Sequence, residues 1–125
     1  MRLELELIRK SVETWKETAI EYFETLQRGI VAYGDDDLRG KELSRVASTF
    51  ASFCSARGLD RIMAHPGDPL VDGLFQVVDE EISTEVLADT ILYCKEWGYR
   101  SATKVYKRAK IVLAKHKEQE SVGVE

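Results

Sequence analysis

Helical spacing of apolar residues in almost every segment, the lack of sustained two-residue alternation among strand formers, and four well-marked breaks predict an all-α fold. The expected architecture is a compact four- to five-helix bundle with a long N-terminal helix. Only the short Leu-Glu run at the start, Leu3-Glu4-Leu5-Glu6, alternates.

Ile8, Val12, Trp15, Ala19, Tyr22 and Leu26 recur at steps of four and three and form a heptad-like seam, which predicts a first helix over residues 4–32. Gly34 and the acids Asp35, Asp36 and Asp37 end it. These acids lack the alternating ligand spacing of a calcium loop and are read as helix caps. Leu43, Val46, Ala47, Phe50, Phe53 and Cys54 line one face of a second helix, from about Lys41 to Arg57, closed by Gly58. His65-Pro66-Gly67-Asp68-Pro69 is the strongest turn in the chain, and Asp68 before Pro69 has the form of a helix start. Leu70, Leu74, Val77 and Val78 then predict a third helix between Pro69 and Glu81. Ser83 is read as the cap of a fourth, running to Trp97 with Leu87, Ile91 and Cys94 on one face. Gly98 closes it, Ser101 caps a fifth, and Ala102, Val105, Tyr106, Ala109, Val112 and Leu113 carry that last helix to about His116.

A chain of 125 residues fits one domain, expected over residues 1–117, with an acidic tail over 118–125 that frays. Hydrophobic residues at 44% and charged residues at 32% are those of a folded soluble protein, with no internal repeat. No apolar run approaches the roughly 18 residues of a bilayer span, so a cytoplasmic chain without membrane contact is expected. Cys54 and Cys94 are read as buried free thiols, since a pair on two helical stretches fits neither a disulfide framework nor a zinc site.

Charge is strongly segregated. Residues 1–37 hold five basic and nine acidic side chains, 38–58 four and one, 59–90 one and eight, and 91–117 eight and one. On the predicted last helix, Lys104, Lys107, Arg108 and Lys115 project opposite the apolar face, with Lys110 and Lys117 flanking it. Ile111 falls in the middle of this stripe, exposed unless something covers it. Lys95 and Arg100 extend the positive area towards Trp97 and Tyr99. Clustered cations attract a phosphate backbone because binding releases its condensed counterions. The candidate nucleic-acid-binding residues are therefore Lys95, Arg100, Lys104, Lys107, Arg108 and Lys115. A basic face that pairs with the acidic third helix or meets water is the competing reading, and Trp97 and Tyr99 suit core packing or a hairpin contact. The last two helices also admit a helix-turn-helix reading, although two antiparallel bundle helices would look the same.

Catalytic signatures do not emerge. Glu13, Glu17, Glu21 and Glu24 stack on the face opposite the seam, and Glu21-Tyr22-Phe23-Glu24 lacks the Glu-x-x-Asp partner of helical pyrophosphohydrolases. His65 and His116 belong to no HExxH motif, and neither a Gly-rich phosphate loop nor a GxSxG elbow is present. A Cys-His pair stays open, because such partners need only meet in space. The reading is a non-enzyme with no catalytic, metal-binding or cofactor-binding residues and no cofactor. Asp79, Glu80, Glu81, Glu85 and Asp89 suit docking of a basic partner.

In size, all-helical reading and polarised surface the chain resembles the small helical subunits of CRISPR effector complexes, which stack along guide and target strands without cleaving them. The resemblance is one of general character and rests on no motif, so no family residue is carried over. It implies a non-catalytic subunit of a ribonucleoprotein assembly, contacting RNA or single-stranded DNA through the basic C-terminal helix and other protein subunits through acidic surfaces. The alternative is a protein-interaction module, a homo-oligomer or an inhibitor of a partner, acting through the heptad seam of the first helix.

Overall fold

The structure, a computed structural model, describes residues 2–116, with side chains from Thr14 onward. Lys117, the acidic tail and the side chains of Ile8, Val12 and Glu13 lie outside the described residues. The chain divides into two compact units, residues 1–59 and 60–125. The first is a pair of helices and the second is built from strands, so the all-α bundle is overturned: the fold is α+β.

Two helices run where periodicity placed them, α1 over Arg2–Tyr33 and α2 over Leu38–Ser55. Local chemistry defines the link between them. Gly34 adopts φ +88° and its N–H reaches Ile30 O at 2.8 Å, ending α1 in the left-handed conformation glycine tolerates best. Asp37 caps α2, accepting the Arg39 amide at 2.7 Å, while its carboxylate also holds the Arg39 guanidinium at 3.0 Å. From Thr14 onward Ala19, Phe23 and Leu26 are the buried residues of α1, so there the seam passes through Phe23, and Tyr22 stands half-exposed beside it, edge-on to Phe50 at 4.8 Å. Ala47 and Cys54 are buried on α2 and Phe53 is exposed.

Among the described residues, six strands make the second unit: β1 Asp60–Ile62, β2 Phe75–Ile82, β3 Ile91–Glu96, β4 Gly98–Arg100, β5 Val105–Lys107 and β6 Ala109–Lys115. They form two three-stranded sheets, ordered β1-β4-β5 and β2-β6-β3. Only Trp97 separates β3 from β4, and only Arg108 separates β5 from β6. Because β3 pairs antiparallel with β6 and β4 with β5, residues 91–115 form one long hairpin, bent at Trp97 and Arg108, with its tip at 101–104. β1 lies antiparallel to β4, and β2 lies parallel to β6. Ala64, Ile91, Ile111 and Leu113 form the core, with Phe75 and Cys94 packed against it.

The three helices predicted beyond residue 69 are strands because bulges imitate helical spacing. Ile91 faces Leu113 and Cys94 faces Ile111, so three steps along β3 match two along β6 and both residues reach the same core. Val78 is a similar extra residue, lying between the pairs Val77–Ile111 and Asp79–Val112. β6 is central and buried from Ile111 to Ala114, which erases alternation and leaves a continuous apolar run. Ile111 is thus fully covered, in a core strand rather than within an exposed basic helical stripe.

Expected helix starts serve as turns. Pro66 and Gly67, the latter at φ +89°, occupy the middle of a tight turn in which Asp68 N–H reaches His65 O at 3.0 Å, the positions proline and glycine favour in a type II turn. The Asp68 carboxylate accepts the His65 amide at 2.8 Å instead of capping a helix. Ser83 Oγ accepts the Glu85 amide at 3.2 Å, and Ser101 Oγ the Thr103 amide at 3.3 Å. The cap-like hydrogen bond forms in both places and no helix follows it. The helix-turn-helix reading falls with these helices.

Candidate nucleic-acid interface

The bent hairpin fixes where each candidate cation stands. Arg100 ends β4 and faces Val105 at the start of β5, while Ser101 N–H closes the tip by donating to Lys104 O at 2.7 Å. Arg100 therefore immediately precedes this four-residue turn and Lys104 is its last residue. Lys104 Nζ lies 4.7 Å above the ring of Tyr106, the extra residue opposite the Tyr99–Arg100 step. Arg108 is exposed at the bend and Lys95 is exposed on the edge strand β3.

Two other members of the predicted set, Lys107 and Lys115, and the flanking Lys110 pair with carboxylates. Lys107 Nζ and Lys110 Nζ lie 3.3 and 3.6 Å from Glu96 Oε1, and Lys115 Nζ lies 2.6 Å from Asp89 Oδ1. Partial burial pushes the Glu96 carboxyl upward, and the hydrogen bonds and charges of Lys107 and Lys110 outweigh it, holding it below the usual carboxylate range. No ion pair forms at Lys95, Arg100, Lys104 or Arg108 among the described residues. The helical stripe is thus replaced by a β hairpin whose tip, bend and β3 edge carry the cations without an ion pair among the described residues.

Trp97 and Tyr99 are buried, as core or hairpin packing requires. Trp97 carries the Arg61 guanidinium 4.4 Å above its ring. Burial lowers the Arg61 pKa, which nearby Tyr99 and Cys94 partly counteract. Cys54 and Cys94 are free thiols, both pushed up by burial. Of the acidic cluster, Asp79, Glu80 and Glu81 are exposed on β2, where Glu81 accepts the Tyr93 hydroxyl at 2.8 Å. Among the described residues, no three His, Cys, Asp or Glu side chains gather as metal ligands, and no helix is long and apolar enough to cross a membrane.

A shallow groove of about 420 Å³ opens beside the hairpin. Asp60, Arg61, Arg100, Ile62, Met63, Leu74 and Phe75 line it, a mixture of charged and apolar residues. Sequence reading missed Asp60, Arg61 and Phe75. The available signal was Arg61, the single basic residue in the strongly acidic stretch 59–90. Neither a protein-family model nor a curated protein sequence matches the chain.

Proposed function

We propose that the chain is a non-catalytic nucleic-acid-binding module of a cytoplasmic multi-protein assembly, which grips phosphates with the tip and bend of its long β hairpin. The observation that carries this reading is the division among its cations: Lys107, Lys110 and Lys115 are held by carboxylates, whereas among the described residues no carboxylate holds Arg100, Lys104 or Arg108. A cation that keeps its charge available gains from displacing counterions on a phosphate chain, and an internally paired one gains little. Tyr106 beneath Lys104 adds a flat surface of the kind that binds unpaired bases.

The all-helical character behind the resemblance to CRISPR small subunits is absent, so the proposal rests on charge layout and hairpin geometry. Its test is fluorescence anisotropy with labelled single-stranded RNA, single-stranded DNA and duplex DNA at several salt concentrations. Wild type is compared with the Arg100→Glu/Lys104→Glu/Arg108→Glu variant. Binding that weakens with salt and disappears in the variant supports the proposal; binding unchanged in the variant, or absent with every probe, rejects it.

A protein-docking role for the helical unit is the second reading, favoured by Tyr22 and Phe53, which stay 46% and 52% exposed on either side of Phe50. Sedimentation of a Tyr22→Ser/Phe53→Ser variant tests self-association through this patch. A sedimentation coefficient equal to wild type rejects that route.

A further inference from the structure

Helix α1 outruns its partner. Phe23 packs against Phe50 with ring centroids 4.8 Å apart and Gly29 lies against Leu43, so the two helices run antiparallel and Ser55, the last residue of α2, comes level with Thr18. Residues 2–17 therefore carry about 24 Å of helix, at 1.5 Å per residue, past the end of α2. The heptad spacing does not stop there. Leu5 and Val12 occupy position a and Ile8 and Trp15 position d, in frame with Ala19 and Leu26 at a and Tyr22 at d. An apolar seam two heptads long thus continues along a stretch that α2 does not reach.

Charge at the flanking positions names what fits this seam. Glu4 stands at g and Arg9 at the following e, the two positions that face one another across a parallel two-stranded coil. A parallel second copy sets Glu4 against Arg9 twice, once on each side of the two-fold axis. An antiparallel copy would bring e against e, Arg9 against Arg9, and repel. Space allows the parallel form. Phe23, at position e, meets Phe50 on α2 while Tyr22, at d, stays half-exposed, so α2 covers the e side of the seam from Thr18 onward and leaves the d side to a neighbouring helix. We propose that residues 2–17 of α1 pair in parallel with the same segment of a second copy, making a two-fold dimer along the seam from Leu5 to Trp15. This segment lies outside both the basic hairpin and the Tyr22–Phe53 patch. Two heptads make a short interface, and an affinity on the order of micromolar is expected.

The test is sedimentation equilibrium of the full chain over a range of concentrations, on wild type, Glu4→Arg, Arg9→Glu and the Glu4→Arg/Arg9→Glu exchange. Far-UV circular dichroism confirms that helix content is unchanged in each. Residues five apart are not neighbours on one helix, so coupling between these two positions reports contact between copies. Wild type should reach the mass of two chains. Each single reversal turns two attractions into repulsions and should weaken association about 10-fold, and the exchange should restore it. Mixed Glu4→Arg and Arg9→Glu chains should likewise bind each other more tightly than either binds itself. A wild-type mass of one chain at every concentration up to about 1 mM overturns the proposal, as does a mass larger than two chains. An exchange no tighter than the single variants overturns the parallel pairing. Association lost in Tyr22→Ser/Phe53→Ser and indifferent to the charge variants belongs to the aromatic patch and overturns it as well. Residues 2–17 hold no part of the hairpin, so each of these results leaves the nucleic-acid reading to its own anisotropy test.

Discussion

Lys107 Nζ stands 3.3 Å from Glu96 Oε1, across the bend of the long hairpin, and Lys110 approaches the same oxygen to 3.6 Å. One carboxylate thereby holds two of the cations that sequence alone would count as available for phosphate. The pairing separates the basic residues of 91–117 into those that stabilise the hairpin and those that can meet a ligand, a distinction visible only in cross-strand register.

The separation predicts different phenotypes for adjacent cations. Lys107→Gln should leave nucleic-acid affinity close to wild type and cost less than about 1 kcal/mol of stability, since both partners of the pair are partly solvated. Arg108→Gln should leave the unfolding midpoint unchanged while weakening binding across all sequences and reducing the salt slope by about 1. Salt-dependent anisotropy and urea unfolding on the two variants check both statements. A larger affinity loss in Lys107→Gln than in Arg108→Gln would place the phosphate contacts elsewhere.

Glu96 also sets an acid limit. Its folded pKa lies below the usual 4.5 because the lysines outweigh the effect of burial. The folded state therefore binds the proton less readily than the unfolded chain, and the stabilisation is complete above about pH 4.5 and lost as pH falls through the lower folded value. With the carboxylate partly exposed, the loss should stay below about 1 kcal/mol. Urea midpoints measured from pH 7 down to 3 should fall less in Glu96→Gln than in wild type. Parallel curves for the two proteins would remove Glu96 from the acid response.

The helical unit was legible in the sequence because its signals are local. Gly34 and Asp37 act within a few residues of themselves, and a straight helix preserves its own period, so only the rotation of the seam from Tyr22 to Phe23 escaped. The β unit was illegible because its pattern depends on partners distant in sequence. Ile91 and Cys94 share a face only because β3 bulges against β6, and Ser83 and Ser101 make the hydrogen bond of a cap in turns that lead into no helix. Ile111 was the residue that betrayed the error: a lone apolar side chain amid a basic helical stripe had no cover, and in β6 it is wholly buried. Charge segregation survived the change of fold, since it belongs to the chain, but which cations remain available did not follow from it.

Asp37→Ala tests the local half of that lesson. The substitution removes the acceptor for the Arg39 amide and should destabilise the helical unit by about 1 kcal/mol. Asp37→Asn should recover most of the loss, because the cap needs an oxygen acceptor more than a charge. Far-UV circular dichroism during urea unfolding reads the effect; equal midpoints for Asp37→Ala and wild type would show that the cap contributes nothing to stability.

Gly98 tests the non-local half. A Cβ there would collide with the Ala109 amide and lie 2.6 Å from Lys107 O, both backbone atoms of the returning strand at the bend. No rotamer change can relieve such a clash, so Gly98→Ala should cost about 3 kcal/mol or more by forcing β4 away from the β5–β6 junction. Gly73, at φ +86° with nothing near its Cβ position, provides the control: Gly73→Ala should cost only the roughly 1–2 kcal/mol of a left-handed alanine. Trp97 reports on the β unit and Trp15 on the helical one, so fluorescence-detected urea unfolding in a Trp15→Phe background isolates the affected unit. If Gly98→Ala shifts the midpoint no further than Gly73→Ala, the close passage of strands at the bend is not what closes the hairpin. A much larger shift would establish that a glycine first read as a helix stop is where the two sheets are allowed to meet.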